Sequence, residues 1–222
     1  IHDFDVIAFR GKTYASTGAV VPPKATASES PGTLFVGEPS SGRWQVAFSY
    51  RGAPGETAVR LGYMTRFRDR LLVAISPLEG RDRNDYLLFE PPKDSRDLSE
   101  KDMKPVQGTE SGGSHTLRWY ADRGKLYWIT IGADGGALRV SDDGEHWTRL
   151  ALPASAGRPS DVLRVGEHLL VLCEHALLEL GPGGALERAV IGDKKTPFKV
   201  DDGYCASPLV VFEGALYAAD QR

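Results

Sequence analysis

A hairpin-like pattern recurs five times along this chain of 222 residues. Each copy has two short runs of β-forming residues on either side of a tight polar turn, which is the signature of a β-hairpin. The turns centre on Gly11, Asp69, Gly124, Glu167 and Gly214. Successive turns are separated by roughly 40 to 60 residues, a period typical of repeat folds such as β-propellers. The repeat therefore restricts the chain to an architecture built from similar β units.

Further β-rich runs follow most of the hairpins, and four strands per unit make one propeller blade. We therefore expect an all-β fold, a single β-propeller domain over residues 1–222 with about five blades of four antiparallel strands. The expected blades span approximately residues 1–50, 56–107, 114–152, 158–191 and 204–222. The last blade is incomplete, so we expect the natural chain to continue beyond Arg222. A two-sheet β-sandwich is the alternative, although it would not require the repeat.

Composition narrows the class of protein. Hydrophobic residues make up 41% of the chain and charged residues 26%, as in a globular domain with a real core. The net charge of −3 argues against a nucleic-acid binder, and the apolar runs are too short to span a bilayer. Two cysteines, Cys173 and Cys205, form neither a disulfide framework nor a zinc motif. We favour a secreted or periplasmic location over a cytoplasmic one.

One motif stands out at residues 140–147. Asp142, Gly144 and Trp147 follow the spacing Asp-x-Gly-x-x-Trp, while Val140 stands where Ser or Thr is usual. The segment resembles the Asp-box of sialidase-like, or BNR-repeat, β-propellers. The resemblance implies that Asp142 accepts hydrogen bonds from amides of its own turn, Gly144 takes a positive φ, and Trp147 packs between blades. It does not imply sialidase chemistry, because the Arg-Ile-Pro segment of true sialidases is missing from the sequence.

A polar position recurs at the start of the innermost strand of each expected blade. It lies nine residues before the turn and is occupied by His2, Arg60, His115, Arg158 and Cys205. A closed five-bladed scaffold would bring these five side chains around one axis, at the end that carries the longer loops. Long loops on a rigid scaffold often carry function. We therefore expect a ligand-binding site there, with Tyr204 as a further member.

Two arginines and two histidines around a funnel would form an anion-binding site. We expect a recognition module for an anionic or carbohydrate-like ligand, or for a protein partner, and neither nucleic acid nor a membrane span. The alternative is a hydrolase or lyase acting on an acidic glycan at the same channel mouth. Its candidate acid–base groups are His2, His115, Asp3 and Asp161. We expect no cofactor, and keep a metal held by His2, Asp3 and His115 as an alternative.

Overall fold

The structure is a computed structural model in which β-strands dominate. It describes residues 2–18, 31–38, 40–51, 59–77, 85–93, 98–106, 108, 115–131, 135–181, 183–188 and 209–218. Within these residues, the helical segments are two short 3₁₀ helices, Glu100–Asp102 and Ala154–Ala156. No helix in this part of the chain is long and apolar enough to cross a membrane. The chain divides into two compact units, residues 1–116 and 117–222.

The first unit holds two four-stranded antiparallel meanders. The first sheet contains β1 (His2–Phe9), β2 (Lys12–Gly18), β3 (Gly32–Gly37) and β4 (Trp44–Tyr50). The second sheet contains β5 (Val59–Phe67), β6 (Arg70–Pro77), β7 (Tyr86–Phe89) and β8 (Met103–Val106). The pairing of Gly18 with Arg60 connects the two sheets at one position. Each sheet follows chain order, as a blade does.

The remaining strands repeat this arrangement. The third sheet contains β9 (His115–Asp122), β10 (Lys125–Ile131), β11 (Ala137–Ser141) and β12 (Thr148–Arg149). The fourth sheet contains β13 (Pro159–Val165), β14 (His168–Cys173), β15 (Leu177–Leu180) and β16 (Leu186–Arg188). A final hairpin contains β17 (Leu209–Phe212) and β18 (Ala215–Ala218). The prediction of an all-β chain built from four-stranded antiparallel sheets is confirmed. The described part of the last repeat contains two strands.

The hairpin turns set the register of the first two strands of each sheet and of the final hairpin. In three of them both central residues have a positive φ: 50° and 78° at Arg10–Gly11, 45° and 80° at Arg123–Gly124, and 49° and 77° at Glu213–Gly214. Two successive positive φ values are the mark of a type I′ turn, whose twist matches that of the flanking strands. The glycine adopts this conformation without a steric cost. The turn therefore fixes which residues pair next to it in the first two strands.

Apolar side chains join neighbouring sheets inside each unit. In the first unit, Tyr14 and Leu34 belong to the same buried cluster as Leu71 and Phe89. In the second, a cluster that includes Ile129 of β10 and Val171 of β14 joins the third and fourth sheets. Fully burying one such side chain stabilises a fold by about 1.5–3 kcal/mol. The packing of the third sheet on the fourth fixes how the loops at their ends meet.

The turn after β11 corrects one expectation. The carboxylate that accepts hydrogen bonds from backbone amides belongs to Asp143, whose Oδ1 lies 2.8 Å from the nitrogens of both Glu145 and His146. Asp142 instead forms an ion pair of 2.8 Å with Lys125, and its side chain is 76% exposed. The assignment of the amide-capping role to Asp142 is therefore wrong by one residue. The reason is the path of the backbone, which directs the side chain of Asp143 back over the turn and leaves that of Asp142 in solvent.

Hydrogen bonding makes this turn a good site for a negative charge. Burial alone would raise the pKa of Asp143, but hydrogen bonds from His146, Glu145 and Ser141 outweigh it and hold this pKa well below its usual range. The hydroxyl of Ser141 also accepts a bond of 2.8 Å from the nitrogen of Gly144. Ser141 and Asp143 together therefore define the turn.

The other two residues of the motif are placed as follows. Gly144 has a φ of 80°, as expected. Trp147 lies 5.7 Å from the ring of Trp119 and 4.9 Å from that of Trp128, both on its own sheet. Its expected packing between blades stays a prediction.

Candidate functional site

A cleft of about 580 Å³ lies where the strand ends of the third and fourth sheets meet. It is open at the end of the sheets where β9 and β13 begin, which is the end predicted to bind ligand. Its walls come from the β10–β11 turn, the segment that follows β12, and the β14–β15 turn. The lining residues are Gly135, Gly136, Arg149, Leu150, Ala151, Leu152, Pro153, Ala154, Gly157, Arg158 and Glu174.

Arg158 connects two loops on one side of the cleft. Its Nε lies 3.5 Å from Oε2 of Glu174, and both side chains are about one-quarter to one-third exposed. Its carbonyl oxygen accepts a bond of 2.9 Å from the nitrogen of Glu174, and the nitrogen of His175 donates to the oxygen of Ala156 at 2.9 Å. These contacts hold the segment before β13 against the β14–β15 turn. The guanidinium of Arg158 is therefore fixed at the rim of the cleft rather than hanging free in water.

Arg149 supplies a second positive charge. It is exposed at the end of β12, where its Nη2 donates a long bond of 3.4 Å to the oxygen of Gly136. Among the residues that the structure describes, no carboxylate forms an ion pair with it. Two guanidinium groups thus face one described carboxylate, that of Glu174. The cleft carries a net positive charge within a chain whose overall charge is −3.

Two glycines shape the walls of this cleft. Gly157 has a φ of 74°, and a Cβ atom on it would lie 2.7 Å from the Cβ of Glu174. Gly136 has a φ of 100°, and a Cβ atom there would lie 2.6 Å from the oxygen of Thr130. Any other residue would meet both an unfavourable backbone conformation and a steric clash. Glycine at these positions allows the loops to approach as closely as they do.

Four of the predicted ring residues lie at or next to the start of a strand. His2 is the first residue of β1, and His115 is the first residue of β9. Arg60 is the second residue of β5, and Arg158 immediately precedes β13. Arg60 is half-buried and pairs with Ser76 across the sheet. Cys205 and Tyr204 lie outside the described residues, as do the side chains of His2, Asp3 and His115. The convergence of the ring on one axis stays a prediction.

The metal alternative depends on some of those same side chains. Among the residues whose side chains are described, no group of three or more His, Cys, Asp and Glu is placed to hold a metal ion. The alternative at His2, Asp3 and His115 is not addressed by this, because these side chains lie outside that part of the structure.

Asp161 has a structural task. Its side chain is fully buried, and its two oxygens accept hydrogen bonds from the nitrogens of Val162 (2.8 Å) and Leu209 (2.6 Å). Nε of Arg118 lies 3.0 Å from the same carboxylate. Burial raises the pKa of Asp161, and the charge of Arg118 opposes that rise. The carboxylate therefore fastens β17 to β13, and nothing in this geometry supports its use as an acid–base group.

Asp5 fastens β1 to β5 in the same way. Its Oδ1 accepts a hydrogen bond from the nitrogen of Val6 at 2.8 Å, and its Oδ2 accepts one from the nitrogen of Met64 at 2.7 Å. Asp5 and Asp161 both stand six residues before their turns, each at an irregularity in the strand pairing. Sequence reasoning missed these fasteners, although a repeated aspartate at one distance from the turn was the available signal.

Comparison with known proteins bears on the fold. No protein-family model matches the chain, and no curated protein matches it. Among solved structures, it is similar to a prolyl endopeptidase, with 20% identity and a TM-score of 0.52 over 92% of this chain. That protein contains a β-propeller domain. This chain has the β-propeller fold.

The likeness ends at the fold, because the identity is low. The chain spans 29% of the length of the prolyl endopeptidase. Activity of that protein is therefore not carried over to the cleft described above. The function of this chain has to be argued from its own side chains.

Proposed function

We propose that this propeller is a recognition module that binds an anionic ligand in the cleft lined by Arg149 and Arg158, called here the arginine cleft. The observation that carries the proposal is the placement of two guanidinium groups in one cavity of about 580 Å³, whose described lining residues include one carboxylate. Guanidinium groups form paired hydrogen bonds with carboxylate or phosphate oxygens. A net positive cleft on a negatively charged protein also attracts anions from a distance.

Several finer expectations belong to the same proposal. The resemblance of residues 140–147 to an Asp-box suggests acidic sugars as one class of anion, and a protein partner that presents an acidic group is another. His2, Arg60 and His115 would add ligand contacts if the channel closes as the register predicts.

A secreted or periplasmic location is compatible with such a module. Glu174 is the one carboxylate among the cleft's described lining residues, so the hydrolase or lyase alternative, which needs an acid–base pair, gains no support.

The proposal is tested by titrating the protein with sodium acetate, sodium glucuronate and inorganic phosphate, following backbone amide shifts by NMR. We expect saturable shifts at Gly135, Gly136 and Gly157, and weaker binding as salt rises. Arg149→Ala and Arg158→Ala should each weaken binding about tenfold or more, because hydrogen bonds to charged groups contribute about 1.5–3 kcal/mol. Arg66→Ala removes an exposed arginine from β5 and should leave binding unchanged. Equal losses in all three variants, or no saturable binding, would refute the proposal.

A further inference from the structure

We infer that the anion recognised by the arginine cleft is a carboxylate carried on an aliphatic body, as found at a peptide C-terminus or on a fatty acid. The inference rests on the proposed function of the same cleft and goes further by naming the class of ligand. The first reason is the small number of polar side chains. Of the lining residues that the structure describes, three have polar side chains, namely Arg149, Arg158 and Glu174.

The second reason is an aliphatic wall that lines the same cleft as these charges. Residues 150–154 line the cleft as one uninterrupted run, Leu-Ala-Leu-Pro-Ala. Leu150 and Leu152 are half-buried and pack from behind against the core of the second unit. Ala151, Pro153 and Ala154 are exposed. A ligand body that covers this wall removes apolar surface from water and gains affinity in proportion to the area covered.

The third reason concerns what the cleft does not offer. The described lining includes no aromatic ring and no Ser, Thr, Asn or Gln. An acidic sugar would bring several hydroxyl groups next to the aliphatic wall, whose side chains offer them no hydrogen-bond partner. Each unpaired polar group of this kind lowers affinity. The lining therefore favours an apolar body over a hydroxylated one.

The fourth reason is the balance of charge. Glu174, held against Arg158, offsets one of the two guanidinium charges. One positive charge in excess matches a monocarboxylate, whereas phosphate at neutral pH carries more negative charge than the cleft neutralises. Arg149, whose described hydrogen bond is the long one to the oxygen of Gly136, is placed to give its planar fork to the two carboxylate oxygens.

The test compares acetate, butyrate and hexanoate by NMR titration at constant ionic strength. Burying one methylene fully is worth about a fourfold gain in affinity, and in an open cleft we expect about a twofold gain per methylene. Hexanoate, which is four methylenes longer, should then bind roughly sixteenfold more tightly than acetate, while glucuronate and phosphate bind no better than acetate. N-acetyl-alanyl-leucine, compared with hexanoate, distinguishes the two sources, because tighter binding of the dipeptide assigns the cleft to a peptide C-terminus.

A pair of leucine variants locates the effect. Leu152→Ala should flatten the dependence on chain length and leave acetate binding unchanged. Leu186→Ala is the matched control, since Leu186 packs on the same cluster but does not line the cleft. A chain-length dependence lost equally in both variants would overturn the inference. The wild-type series decides the question even if a variant fails to fold.

The outcomes separate this inference from the proposed function. If acetate binds but hexanoate binds no more tightly, or if glucuronate or phosphate binds best, the inference is wrong and the anion-binding function stands. If none of these anions binds, the proposed function itself is wrong.

Discussion

Replacing Asp161 by alanine should loosen the attachment of β17 to β13 and lower the free energy of unfolding by about 2–4 kcal/mol. The variant leaves the nitrogens of Val162 and Leu209 without their acceptor, and a buried unsatisfied amide costs about 1–3 kcal/mol. It also removes the partner of Arg118 at 3.0 Å. Removing the carboxylate also removes the free-energy cost of keeping it away from water, which offsets part of this loss. The net loss of stability is therefore smaller than the sum of the lost interactions.

The loss should depend on pH with a definite sign. Burial raises the pKa of Asp161 in the folded protein above its value in the unfolded chain. The folded state therefore holds the proton more tightly, and the contribution of Asp161 to stability is greatest below the ordinary aspartate pKa. This contribution declines as the pH rises through the raised pKa. The difference in stability between wild type and Asp161→Ala should accordingly be smallest near neutral pH and increase on acidification.

Chemical denaturation gives the free energy, and amide hydrogen exchange shows where the structure loosens. In Asp161→Ala the amide of Leu209 should exchange much faster, while that of Met64 should not change. Asp5→Ala should show the reverse pattern with a smaller loss of about 1–2 kcal/mol, because Asp5 is only half-buried. Unchanged exchange at Leu209 in Asp161→Ala, or a stability gap that shrinks as the pH falls, would refute the reasoning.

Two further pairs of variants test local structure, each by thermal and chemical denaturation. Asp143→Ala should lower the free energy of unfolding by about 1–2 kcal/mol, because two hydrogen bonds from backbone amides are lost. Asp142→Ala loses only an exposed ion pair and should lower it by at most about 0.5 kcal/mol. Equal losses in the two variants would contradict the assignment of the amide-capping role to Asp143. Gly157→Ala should cost at least about 2 kcal/mol and weaken anion binding, since its Cβ would clash with Glu174. At Gly11, where the φ is 78° and no atom lies within 4 Å of the added Cβ, alanine should cost about 1 kcal/mol, and equal losses at both glycines would argue against the clash.

The sequence predicts the strand order of this fold because the information is local. A residue with a positive φ in the tight turn, Arg68 between β5 and β6 and Gly166 between β13 and β14, sets which residues of the two strands pair, and a count from that turn gives the approximate start of the first strand. For this reason Arg60 and Arg158 lie where the repeat places them, at the beginning of β5 and immediately before β13.

The one-residue error in the Asp-box has an equally local cause. Alignment on Trp147 selects Asp142, but which of two adjacent aspartates folds over the turn depends on the backbone path between β11 and β12. Ser141, whose hydroxyl accepts bonds from the nitrogens of Asp143 and Gly144, sets that path. An alignment on the serine rather than on the tryptophan would have selected Asp143.

The rest of the arginine cleft could not be predicted in this way. Arg149 ends β12 and Glu174 lies in the β14–β15 turn, so no period along the chain relates either of them to Arg158. Their meeting depends on how the third sheet packs on the fourth, through Ile129, Val171 and the rest of their shared cluster. That packing angle is a tertiary property, and the hydrophobic pattern specifies which faces are buried without specifying which loops then meet.

The position six residues before the hairpin turn connects neighbouring sheets in more than one way. Six residues before the hairpin turn, the first and fourth sheets carry Asp5 and Asp161, and the third sheet carries Arg118. Each aspartate accepts a hydrogen bond from a backbone nitrogen in the first strand of the next sheet or hairpin. Arg118 forms an ion pair with Asp161. Both members of the ion pair therefore come from equivalent positions in neighbouring units.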